Sequence, residues 1–281
     1  MADRFEFGLD VVEALVIGEA TGGDIRRYPL RIGAVPSDPV RFVRVAAQVH
    51  RAVEERRLSA NGDLIPRVRL AFGLLARPRV SVAVSGIDGL GADIAVLALT
   101  DGRQALGITQ DPESDELLFS LFADEELVEV VTGVLPRARP ASTGAHTVRQ
   151  ETVREVSAMT ARRRAEAAED EVETDAFGMI EVSGRVQPRA DPRISRRPGS
   201  PEVLARVFAQ PRLGGGHITV SGWGRHGERT AADPLSWLDT EDGRYLVRTT
   251  SGDAGEVSAD YVPAGRSEVA RAVQQAISAV Y

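Results

Sequence analysis

Leu235-Ser-Trp237-Leu-Asp239-Thr-Glu-Asp242-Gly243-Arg244-Tyr245-Leu-Val247 is followed by a second apolar run, Val257 to Val262, and then by a helical pattern to Tyr281. The same order occurs half a chain earlier. Ala95-Val-Leu97-Ala-Leu99-Thr-Asp101-Gly102-Arg103-Gln-Ala-Leu106 is followed by Leu117 to Phe122 and a helical pattern from Asp124. The two Asp-Gly pairs, Asp101-Gly102 and Asp242-Gly243, are separated by half the length of the chain. Asp-Gly between alternating strands is a hairpin signal, because a type I′ turn needs positive φ at both central residues and Asp and Gly tolerate it best. Each half therefore reads strand, turn, strand, loop, strand, helix. The spacing agrees, since Phe122 closes its third strand at almost the same distance from Asp101 as Val262 does from Asp242. With only two copies, this predicts a duplicated α+β unit, not a solenoid.

The composition narrows the chemistry. A chain of this length can bury one large core or two modest ones. Its hydrophobic content of 43% is ordinary and its aromatic content of 5% is lean. All 34 basic residues are Arg, so Schiff-base catalysis, lysine general bases and a Walker-type phosphate loop are excluded. No Cys is present, which removes disulfides, thiolate catalysis and cysteine zinc sites. The net charge of −7 argues against nonspecific binding to nucleic acid. Met1 to Glu6 lacks the basic-then-apolar profile of a signal peptide, and no apolar run approaches the length needed to span a bilayer. The expectation is a soluble cytoplasmic protein.

Along the chain, Phe7 to Ile17 has helical spacing, Tyr28 to Ile32 is a short strand candidate, and Ser37-Asp38-Pro39 opens a helix that places Phe42, Val45, Ala46, Val49 and Val53 on one face. Another helix spans Leu64 to Leu75 and stops at Pro78. Strands follow at Val80 to Ser85 and Asp93 to Leu99, with a glycine-bearing tip between them. Asp124 is the expected N-cap of the next helix. Pro136 to Gly144 reads as a linker between halves. Thr147 to about Val172 is rich in Ala, Glu and Arg and predicts a helix whose apolar stripe ends at Met159. Glu173 to Ser200 is expected to be mobile or irregular. Ser200-Pro201-Glu202 begins a further helix through Val203, Leu204, Val207 and Phe208. Gly214 to Gly216 reads as a flexible lead-in to a strand, His217 to Gly222. The last helix presents Val269, Ala272, Val273, Ala276, Ile277 and Val280 on one stripe.

No catalytic constellation emerges. His50, His146, His217 and His226 form no metal-ligand spacing with one another or with Asp and Glu. There is no Gly-x-Ser-x-Gly elbow. Gly214-Gly215-Gly216 precedes a strand instead of a helix, so a helix-dipole phosphate cradle is missing. Arg162-Arg163-Arg164 and Arg196-Arg197 adjoin acidic stretches and read as solvated charge. The expectation is no enzyme, no cofactor and no metal.

Asp239-Thr240-Glu241-Asp242-Gly243-Arg244-Tyr245-Leu246 resembles the Asp-Thr-x-x-Gly-Arg-Tyr segment before the final helix of the EspG family, the cytoplasmic chaperones of the ESX, or type VII, secretion systems of actinobacteria. The first third is similar to that family in order and spacing: Leu9 to Leu15, Tyr28-Pro29-Leu30, Glu54 to Arg57 before Leu-Ser-Ala, then Leu74 to Pro78 entering a strand. The resemblance covers nearly the whole chain. It implies a single domain over 1–281 made of two pseudo-repeats, 1–136 and 145–281. It also implies a pseudo-twofold α+β fold with a central antiparallel sheet flanked by helical bundles. It implies binding without catalysis: the chaperone grips a PPE-type protein in its heterodimer with a PE-type partner and keeps the pair soluble for export. Partner contacts are expected at Ile87, Asp88 and Leu90 on the loop Ser85 to Ala92, and at Val153, Val156, Met159, Val203 and Phe208 from the bundle. The sequence departs from the family where the bundle belongs, supplying a charged Ala-Glu-Arg helix and a polar stretch, and its loop is short. A regulatory or scaffold protein that accepts a different partner helix would have the same sequence features.

Overall fold

Strand alternation places two apolar faces on one sheet, and helices cover both. The computed structural model describes residues 4–33, 38–111, 113–114, 116–150, 186–187, 209–224, 226–251 and 257–281. In chain order the elements are β1 (Phe5–Asp10), α1 (Val11–Thr21), α2 (Pro39–Glu55), β2 (Ser59–Ala60), β3 (Asp63–Leu64), α3 (Pro66–Ala76), β4 (Val80–Ile87), β5 (Asp93–Thr100), β6 (Gln104–Gln110) and β7 (Glu116–Ala123). A 3-10 turn then leads into α4 (Leu127–Gly133), β8 (His146–Gln150), β9 (Val186–Gln187), β10 (Arg212–Trp223), β11 (Arg229–Ala231), β12 (Leu235–Thr240), β13 (Gly243–Ser251), β14 (Val257–Pro263) and α5 (Arg266–Val280).

The large sheet is antiparallel with order β1-β7-β6-β5-β4-β10-β12-β13-β14-β8-β9, and β11 pairs with β10. The order is nearly palindromic about the β4–β10 seam. On one side β4 to β7 follow one another outward and β1 pairs with β7; on the other, β10, β12, β13 and β14 do so and β8 pairs with β14. Each run ends in a helix, α4 or α5. The fold is α+β, as the duplicated hairpins predict.

Adjacent residues on a strand face opposite sides, so each central strand feeds two cores. On β5, Leu97 and Leu99 pack with α1, α2 and α3, while Val96 and Ala98 pack with α4 and α5. The predicted α5 stripe is buried in full: Val269, Ala272, Val273, Ala276, Ile277 and Val280 all lie against the sheet. Burying a Val or Ile side chain stabilises a fold by about 1.5–3 kcal/mol. Likewise Val49 and Val53 of α2 are buried and Phe42, Val45 and Ala46 pack beside them.

Several local readings change. Phe7 to Leu9 is strand, not helix: Phe7 and Leu9 are buried while Glu6 and Gly8 face out, and the segment pairs with β7. The helix starts only after Asp10, whose carboxylate accepts from Glu13 N (2.7 Å) while Glu13 accepts from Asp10 N (2.9 Å), a reciprocal cap. Tyr28 to Ile32 joins no ladder. The Gln110 side chain takes the strand's place, accepting from Arg31 N (2.7 Å) and donating to Arg31 O (2.9 Å). Asp124 does not cap α4, because its carboxylate accepts from the Thr100 hydroxyl. Gly214 to Gly216 belong to β10 itself. The Trp237 ring lies so close to Gly216 and Gly86 that a Cβ on either would sit within 2.8 Å of the indole, so these glycines seat the ring. Thr147 to Gln150 is strand β8 and not the start of a helix. The rest of that expected helix, the helix expected from Ser200, and Glu173 to Ser200 except Val186–Gln187 lie outside the described residues.

Neither Asp-Gly turn is type I′, since among the described residues only Arg57 and Asn61 combine a side chain with positive φ. At the first hairpin Thr100 pairs with Ala105, leaving a four-residue loop. At the second Thr240 pairs with Gly243, so Glu241 and Asp242 make the turn and Gly243 already belongs to β13.

Candidate partner-binding surface

The loop between β4 and β5 is built by one carboxylate. Asp88 accepts from Leu90 N (2.8 Å) and Ala92 N (2.9 Å), while Asp88 N donates to Ala92 O (2.9 Å) and Gly91 N to Asp88 O (3.1 Å). Gly91 has φ +83°, which closes the turn without a Cβ penalty. Leu90 stands out at 94% exposure, the highest of the large apolar residues described. Of the three loop residues expected at the contact, Leu90 is presented to solvent, Asp88 shapes the loop, and Ile87 is half-buried where β4 pairs with both Asp93 and Gly215.

Ile87 lines a cavity of about 400 Å³ between the loop base and Tyr28 to Arg31. Ser85, Ile94 and His217 contribute to it, and an Arg31–Asp93 ion pair of 2.6 Å joins two of its lining residues. His217 shares a hydrogen bond of 2.7 Å with Ser236. Leu213, 43% exposed, is carried past the loop by β10, with its carbonyl beside Gly89. Sequence reasoning missed Tyr28, Arg31, Ile94 and Leu213. The cavity is assembled across four separate segments, 28–31, 85–87, 93–95 and 216–217, and the local signal for Leu213 was an apolar residue beside a glycine run. Val153, Val156, Met159, Val203 and Phe208 lie outside the described residues.

The second Asp-Gly hairpin is a clasp. Arg244, 2% exposed, donates from Nε and Nη2 to both carboxylate oxygens of Asp239 at 2.7 Å, and again to Pro136 O at 2.7 Å. Thr240 Oγ1 donates to Gly243 O (3.1 Å). Asp242 accepts from Ser142, from Thr143 main chain and side chain, and from Tyr245. Partial burial raises the Asp242 pKa, but these hydrogen bonds outweigh it and hold the carboxyl at about 2. Tyr245, completely buried, is pushed up to about 12 chiefly by burial. The expected linker is thus laced to β13, with Arg244 N donating to Arg139 O and Ala141 N to Arg244 O.

The sequence model of the EspG family matches residues 10–275. The chain belongs to the EspG family. In this EspG chain the Asp239 to Leu246 segment is a structural clasp, separated from the β4–β5 loop by strand β10. Among solved structures, this EspG chain is similar to the Mycobacterium tuberculosis type VII secretion system chaperone EspG5, determined in complex with the PE25-PPE41 dimer. The identity is 12%, the TM-score 0.61, and the match covers 99% of this chain and 97% of that one. At that identity the likeness speaks for the fold. No curated protein matches the chain. Among the described residues no helix is long and apolar enough to cross a membrane, and no group of three His, Asp or Glu could hold a metal ion.

Proposed function

We propose that this chain is a cytoplasmic chaperone of a type VII secretion system, a single domain of two pseudo-repeats (1–136 and 145–281) that binds a helical PE/PPE-like heterodimer through its PPE-type member and keeps the pair soluble for export. It works by binding and not by catalysis. The observation that carries this reading is Leu90, almost wholly exposed on a loop whose backbone Asp88 already holds in shape. An exposed Leu on an ordered loop gains from burial on binding without a large ordering cost. Family membership and the EspG5-like fold support the same reading, and the cavity beside Ile87 offers the partner a concave surface next to the apolar tip.

The test is co-expression of the chain with a PE/PPE-like pair, followed by size-exclusion chromatography with light scattering. A stable 1:1:1 complex, with the pair soluble only when the chain is present, is the expected result. Substituting Ile87→Asp and Leu90→Asp together leaves the chain folded and abolishes the complex. Unchanged affinity in that double variant removes the loop from the contact.

A further inference from the structure

On the sheet face that carries α1 to α3, the β4–β10 seam pairs Ser81 with Ser221 and Ala83 with Thr219. These small residues floor a second cavity, of about 310 Å³, whose walls include Arg27, Trp223 and Arg229. The guanidinium carbons of Arg27 and Arg229 lie 5.8 and 6.0 Å from the centroid of the same Trp223 ring. Two cations are thus held beside one indole, in a chain whose net charge is −7.

Neither guanidinium forms an ion pair with a carboxylate of the described residues. Arg27 donates from Nε to Asp24 O (3.2 Å) and from Nη2 to Leu75 O (2.8 Å). Arg229 donates from Nη2 to the Ser221 hydroxyl (3.0 Å). Asp24, whose charge acts on Arg27, accepts from Arg26 N (2.9 Å) and lies 3.7 Å from Arg26 Nε. Burial lowers the Arg27 pKa, and the Asp24 charge works against that shift. Arg27 Nη1 and Arg229 Nε and Nη1 take no part in these hydrogen bonds, and the Ser81 and Thr219 side chains share the cavity with them. Forked guanidinium donors beside hydroxyls are a donor set for a carboxylate, which would also relieve the repulsion between the two cations.

We infer that this cavity takes an acidic side chain of the helical partner, an inference that rests on the chaperone reading. Its volume is at the low end for a small-molecule site, and it shares Tyr28 with the cavity beside Ile87. Ser81 and Ile87 lie on one face of β4, about 20 Å apart along the strand. A partner helix laid along β4 from Ile87 spans that distance in about 13 residues. The acid it presents therefore lies three to four turns from its apolar contact.

The experiment measures affinity of the full chain for a PE/PPE-like pair at low and at moderate NaCl. The Arg229 side chain is exposed and, among the described residues, hydrogen-bonds Ser221 alone, so its variants keep the fold, which thermal unfolding checks. The expected result is a loss of at least about tenfold for Arg229→Glu, with Arg229→Lys, which keeps the charge but not the fork, losing less. Native binding weakens with salt, and the Arg27→Gln/Arg229→Gln double variant loses most of that salt dependence. Native affinity and salt dependence in these variants, while Ile87→Asp/Leu90→Asp abolishes binding, overturns this inference alone. Weaker binding with unchanged salt dependence assigns the arginines to packing and also overturns it. Thermal protection by free citrate that Arg229→Glu removes, without any effect of Arg229→Glu on the pair, makes the site one for small carboxylates and overturns the partner as source. If the native chain binds no such pair, the chaperone reading and this inference fall together.

Discussion

The two Asp-Gly-Arg hairpins share a sequence and differ in what their side chains hold. In the first, the partners are local or close in the same half. Asp101 accepts from Arg103 N (2.8 Å) and Gln104 N (2.9 Å), and Thr100 Oγ1 accepts from Gly102 N (2.9 Å) while its proton goes to Asp124. In the second, the equivalent positions reach back to the connection between the halves. Arg244 binds Pro136 and Asp242 binds Ser142 and Thr143. One turn stabilises itself; the other ties that connection to the sheet. A repeated motif thus diverged in role without diverging in topology.

The matched arginines give the largest expected difference. Arg244→Met leaves Asp239 buried and unpaired and costs about 3–5 kcal/mol in urea unfolding. The exposed Arg103→Met changes stability by no more than about 0.5 kcal/mol. Equal effects would erase the distinction between the hairpins.

The matched glycines differ less. Gly243 has φ +128°, and a Cβ there would lie 2.7 Å from Ala141 Cα and from Pro140 O. Gly102, φ +90°, would meet only flexible side-chain ends, the nearest being Tyr281 Oη at 3.3 Å. Gly243→Ala is expected to lower stability by about 2–4 kcal/mol and Gly102→Ala by about 1 kcal/mol. Denaturant midpoints of the two variants decide it.

Acid sharpens the same contrast. The Asp242 carboxyl sits at about 2 in the folded chain against an ordinary 3.8. Its contribution is therefore fully present well above 3.8 and is lost as pH falls from there toward 2. Asp242→Asn is less stable than the native chain at neutral pH, and the difference closes across that window. A constant difference across the window would remove Asp242 from the clasp.

The smallest effect belongs to the β4–β5 loop. Leu90→Asp shifts stability by no more than about 0.5 kcal/mol, because little packs on a residue 94% exposed. A larger loss would mean that Leu90 serves the fold and not a partner.

The hairpins, the strand-turn-strand-strand-helix order of each half, and the buried stripes of α2 and α5 were legible because strand and helix periodicities are local properties of the chain. Phe7 to Leu9 was misread because Phe7, Leu9 and Val12 fit either period over so short a run, and only pairing with β7 decides it. Pro136 to Gly144 reads as a loop from its Pro, Ser, Thr and Gly, but that signal does not record that its backbone finds partners on β13. At the candidate surface, Ile87, Asp88 and Leu90 could be named from a glycine-flanked tip, but not their separate roles.

By itself, the sequence determined the α+β class, the duplicated order of elements, the absence of Lys and Cys chemistry, and a family resemblance. Those follow from composition and from repeats that need no knowledge of distant contacts. Only the tertiary structure decided that Arg244 is a clasp, that Tyr28 and Arg31 wall the cavity at Ile87, and that Arg27 and Arg229 flank one indole. Each of these joins residues far apart in the chain, where no local pattern records which partner a charge will meet.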